Sequence, residues 1–117
     1  MAADLSAFQQ VLEAVQRAQT LGAIALLAEQ TGRSVDDPDC YPRGIRLSIE
    51  RTDPQWKSLR FLSKHLDWLK LDTRTKHLWI RPPEQIRGVA MEVAYLHAVA
   101  ESLNESGMPC AADIYYR

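Results

Sequence analysis

The sequence predicts a helix-rich α+β fold, and three observations carry that prediction. Apolar residues recur at spacings of three and four near both ends of the chain, as Leu5, Phe8, Leu12 and Val15 and as Ile86, Val89, Val93, Leu96, Ala100 and Leu103. Between them, Ile45, Leu47 and Ile49 alternate with Arg46, Ser48 and Glu50, the period of a half-exposed strand. Two short strand-like runs, residues 69–72 and 77–81, flank the polar sequence Thr73-Arg74-Thr75-Lys76 and predict a hairpin. At 117 residues, 46% hydrophobic and 25% charged, the chain suits one soluble domain with one core.

The first pattern predicts helix over residues 4–30. Gly22, where the apolar face shifts, weakens a helix interior by about 1 kcal/mol, so a bend or a division into two helices is expected there. Residues 31–42 hold Gly32, Pro38, Pro42 and three aspartates and predict a loop. Residues 44–52 are ambiguous: the alternation favours a strand, while Ile45 and Ile49 also stand one helical turn apart. Asp53-Pro54 has the form of an N-cap followed by proline at the first helical position, and Leu59, Leu62, Leu66 and Leu69 supply a buried stripe. Trp56 borders that stripe and is expected to be buried, with Trp68 partly exposed. A long C-terminal helix is expected over residues 84–106, ended by Gly107, with a last strand over 110–116.

Charge is distributed unevenly along the chain. Residues 43–87 hold eleven lysines and arginines against five acids, a net of +6, whereas the remainder is −7. Such blocks suggest a middle that faces a polyanion, flanked by acidic ends. On the helix that starts at Asp53, Lys57, Arg60 and Lys64 share a face, and Arg74 and Lys76 follow in the hairpin without a spacer. These five cations are expected to form one basic surface.

The order of helix, turn, leucine-rich helix and basic hairpin resembles the winged helix-turn-helix domains of DNA-binding regulators. The resemblance rests on residues 48–52 as the end of one helix, Asp53-Pro54 as the turn, Leu59, Leu62 and Leu66 as the buried side of a recognition helix, and residues 69–81 as the wing. It implies that Lys57, Arg60 and Lys64 contact a DNA groove or its phosphates, and that Arg74 and Lys76 are wing contacts. Read as a strand, residues 44–52 give the alternative: two N-terminal helices followed by a ferredoxin-like β-α-β-β-α-β arrangement.

Catalytic signatures are lacking. The chain has no GxSxG, GxGxxG, P-loop or HExxH, and its five glycines are too scattered to cradle a phosphate. His65, His77 and His97 lack metal-ligand spacing, so neither enzyme, metal nor cofactor is expected. With six residues in the longest apolar run, Asp4 where a basic leader would begin, and Cys40 far from Cys110, a reduced cytoplasmic protein without a membrane span is expected. Two functions fit: a regulator binding double-stranded DNA, or an interaction module docking a basic aromatic face on an acidic protein partner. A homodimer through residues 84–106 is expected, because the predicted helix is long enough for its seam to extend beyond its own fold.

Overall fold

The computed structural model describes residues 2–30, 40–83, 85–86 and 88–116, and within them every side chain except those of residues 2–5, 29, 30, 40 and 116. The chain is α+β, with elements in the order α1 (Ala2–Gln30), β1 (Cys40–Leu47), α2 (Pro54–His65), β2 (Leu69–Asp72), β3 (His77–Ile80), α3 (Val89–Glu105) and β4 (Cys110–Tyr116).

Helix α1 runs unbroken for 29 residues, so the division expected at Gly22 does not occur. The reason is tertiary. Gly22 is buried against α3, where a Cβ would lie 2.7 Å from the Tyr95 ring and 2.8 Å from a Val99 methyl. The glycine lets two helices approach closely, and the burial of Val11, Val15, Ala18 and Leu26 offsets its low helix propensity.

Of the loop expected over residues 31–42, positions 31–39 and the Cys40 side chain lie outside the described residues. Residues 40–42 belong instead to β1, opposite Tyr116, Tyr115 and Ile114 of β4. Pro42, which has no N–H for a ladder, stands at a register shift completed by Gly44 at φ 118°. Beyond it the alternation is realised as a strand, with Ile45 and Leu47 buried and Arg46 exposed. A strand therefore stands where the winged arrangement requires a helix before Asp53.

The four strands form one sheet in the order β2-β3-β1-β4, with antiparallel neighbours throughout. After α1 the chain thus follows β-α-β-β-α-β, the split β-α-β connectivity of the alternative reading, preceded by one helix rather than two. Strand β3 pairs with β1 as well as β2, so the hairpin is integral to the sheet and does not project as a free wing.

Helix α2 begins as its sequence predicts: the Asp53 carboxylate accepts the Gln55 N–H at 2.9 Å and Pro54 takes the first turn. Trp56, Leu59 and Leu62 are buried, and Trp68 and Trp79 are half-buried. Helix α3 starts only at Val89 and has 17 residues, a length of about 26 Å. Its seam of Met91, Tyr95, Leu96, Val99, Ala100 and Leu103 is buried within the chain, with α1 lying along it. Of the seam on which pairing through residues 84–106 was expected, Leu96, Ala100 and Leu103 are buried and Ile86, Val89 and Val93 half-buried, residues 84 and 87 lying outside the described residues. The buried Tyr95 hydroxyl donates to the Ile80 carbonyl and ties α3 to β3; burial raises that phenol above its ordinary value.

The result is three layers: the sheet, then α2 and α3, then α1. Ile45, Leu47, Leu69, Leu78 and Ile80 are buried beneath the helices. Alternation places Arg46, Lys70, Asp72 and Ala111 on the opposite sheet face, where all four are exposed. His77, Trp79 and Asp113 alternate onto the same face and are half-buried, so among the described residues the face is open in part.

Candidate functional site

The hairpin tip is built by Asp72, whose carboxylate accepts the N–H groups of Arg74 at 3.0 Å and Thr75 at 3.3 Å. Those hydrogen bonds hold its pKa below the usual carboxylate value. The tip closes through Lys76 at φ 60°, a left-handed conformation uncommon outside glycine, asparagine and aspartate. Lys76 Nζ donates to the Ile49 carbonyl at 2.7 Å, and an Arg51 guanidinium N–H donates to the Thr73 carbonyl at 3.0 Å. Both cations also lie 5.8 Å from the centre of the buried Trp56 ring. The start of α2 and the hairpin tip are thereby held together.

Beside the tip opens a groove of about 690 Å³ on the sheet's open face. Arg43, Arg46, Arg51, Arg74 and Lys76 line it, with Asp113 the one carboxylate among the described residues of its lining. Asp113 Oδ2 accepts a hydrogen bond from His77 Nε2 at 2.6 Å. The strand ladder assembles the set: Arg46 stands opposite His77 on one side and Ala111 on the other, and Asp113 opposite Gly44. Arg51 and Lys76 are engaged by backbone carbonyls, whereas the Arg46 and Arg74 guanidinium groups hold no hydrogen-bonded partner among the described residues. Five positively charged side chains thus surround one wide opening.

Of the five cations expected from the sequence, Arg74 and Lys76 line this groove. Lys57, Arg60 and Lys64 do not; they are exposed along α2, where Phe61, 52% exposed, meets Phe8 edge-on at 5.4 Å and His65 at 4.3 Å. Arg43, Arg46 and Arg51 are the members that sequence reasoning missed as a site. Their signals were the positive block over residues 43–87 and the polar side of the strand pattern, which together mark Arg46 as outward-facing.

Other chemistry-bearing groups are occupied or isolated. Cys110 packs with its thiol 3.6 Å from the Ala100 carbonyl, and burial pushes its pKa up to about 11, the wrong direction for a thiolate nucleophile. Its backbone is held by Asn104, whose side-chain amide donates to the Cys110 carbonyl at 2.8 Å and accepts from its N–H at 3.2 Å. His97 is exposed on α3. Among the described residues no group of three or more His, Cys, Asp or Glu side chains could hold a metal ion, and no helix is long and apolar enough to cross a membrane. Comparisons with protein-family models, curated proteins and solved structures found no match for this chain.

Proposed function

We propose that the chain is a non-catalytic nucleic-acid-binding protein whose phosphate contacts come from the sheet-side groove. The observation that carries this reading is the convergence of Arg43, Arg46, Arg51, Arg74 and Lys76 on one opening where Asp113 is the one carboxylate among the described lining residues. Arginine forks suit phosphate oxygens bidentately, and binding of this kind releases condensed counterions. Arg46 and Arg74 are the principal contacts, because their guanidinium groups hold no hydrogen-bonded partner among the described residues. The test is a titration with labelled DNA at several salt concentrations, using the wild type and Arg46→Glu/Arg74→Glu. Affinity of the wild type falls steeply with salt; the folded double variant binds more weakly, and its log-log slope is flatter by about one unit per lost contact. Equal affinity of the two proteins would sink the reading.

A second reading, docking on an acidic protein, is favoured by Phe61, an exposed aromatic among Lys57, Arg60 and Lys64 on α2. An aromatic anchor inside a cationic rim is the composition of a protein interface. A partner lost on Phe61→Ser, with DNA affinity intact, would place that activity on α2 and apart from the groove.

A further inference from the structure

Strands β1 and β4 extend the open face beyond the groove to a pair of tyrosines. Tyr41 and Tyr115 stand opposite each other across the ladder, with ring centres 6.4 Å apart. They are 41% and 50% exposed, so both rings are reachable from solvent. Alternation along β4 puts Tyr115 on the same face as Asp113, which lines the groove. Arg43 joins the two regions: it lines the groove, and its guanidinium carbon lies 5.1 Å from the centre of the Tyr115 ring.

We infer that the ligand is a single-stranded nucleic acid, its bases stacked at Tyr41 and Tyr115 and its phosphates on Arg43 and Arg46. This rests on the groove being a phosphate site and adds what the bases meet. Base faces are exposed only in an unpaired strand; a duplex hides them in its stack and offers a sheet nothing for two tyrosine rings to cover. The elements suited to a duplex are also constrained here. The hairpin tip is pinned by Arg51 and Lys76, and α2 is flanked by α1 through the Phe8 and Phe61 contact. From Tyr41 to Arg46 the strand runs about 16 Å, so stacking platform and phosphate site lie along one short track. Stacking tolerates any base, so the inferred preference is for strandedness rather than sequence.

The experiment measures anisotropy of labelled oligothymidylate and oligouridylate of about 12 nucleotides, the same DNA as a duplex, and an abasic strand of equal charge. The single strands are expected to bind wild type more tightly than the duplex or the abasic strand. Tyr41→Ala/Tyr115→Ala is expected to lose roughly tenfold or more of single-strand affinity, leave abasic binding unchanged, and be rescued by phenylalanine at both positions. The DNA and RNA arms report which sugar is preferred. Should the alanine variant not fold, photocrosslinking of wild type to a 5-iodouracil strand decides: adducts at Tyr41 or Tyr115 support the inference, and adducts confined to α2 overturn it. Salt-dependent binding that favours duplex, with the tyrosines indifferent, overturns the stacking while leaving the groove reading intact. No binding to any of the four probes overturns both.

Discussion

Replacing Gly22 by alanine sets two known effects against each other. Alanine is favoured over glycine inside a helix by about 1 kcal/mol, so at an exposed position Gly22→Ala would stabilise. Here the added methyl would lie 2.7 and 2.9 Å from two Tyr95 ring carbons and 2.8 Å from Val99 Cγ2, whereas comfortable contact between carbons begins near 3.5 Å. Relief requires α1 and α3 to separate locally by most of an ångström, or Tyr95 to tilt and strain its hydrogen bond to the Ile80 carbonyl. Overpacking of this kind costs about 1–3 kcal/mol. Subtracting the propensity gain leaves a net loss of about 1 kcal/mol, with Gly22→Val losing more because valine adds two further methyls and no comparable propensity. Urea unfolding followed by tryptophan fluorescence reads this as a fall in midpoint of about 0.5 M. Adding Val99→Ala should make Gly22→Ala less damaging than it is alone, a coupling visible in a double-mutant cycle. A stabilised Gly22→Ala protein would refute the close packing of α1 on α3.

Three further outcomes are expected. Ser102 is 1% exposed and its hydroxyl has no hydrogen-bond partner, so Ser102→Ala should raise unfolding stability by about 1 kcal/mol in the same urea assay. Because burial raises the Cys110 thiol to about 11 from an ordinary 9.0, its thiolate fraction at pH 8 is depleted; in a Cys40→Ser background, iodoacetamide should react roughly 100-fold more slowly than with an unburied thiol, and faster as pH rises toward 11. Finally, neutralising Lys57, Arg60 and Lys64 to glutamine should weaken DNA binding less than neutralising Arg46 and Arg74, since only the latter line the groove; a larger loss from α2, measured by anisotropy at fixed salt, would return the site to that helix.

Elements whose signals are local could be read from the sequence. The Asp53 cap, the Leu59 and Leu62 stripe, the two hairpin strands and the last strand all fell where capping, period and turn chemistry place them. The misreadings were tertiary. Gly22 has the composition of a helix break, and only the Tyr95 ring beside it shows why the helix continues. The last helix, expected from residue 84, begins at Val89. Three of the five groove cations escaped for a similar reason. Arg51 reaches Thr73 across 22 residues of sequence, and Arg46 meets His77 through a strand pairing that no local pattern specifies.

The pairing of β1 with β4 also bears on how the chain acquires its structure. Cys40 lies opposite Tyr116 and Leu47 opposite Cys110, contacts separated by more than half of the 117 residues. Such distant closure slows folding relative to the local β2 and β3 hairpin. During synthesis β1 therefore waits with one edge unpaired until the last strand emerges, a template onto which another nascent chain could add. That edge carries Pro42, Arg43 and Arg46, a missing donor and two charges, which are the substitutions that discourage strand addition. The arginines assigned to phosphate binding thus double as gatekeepers of the unfinished sheet, and replacing them with apolar residues would lower soluble yield even where the finished fold has no need of their charge.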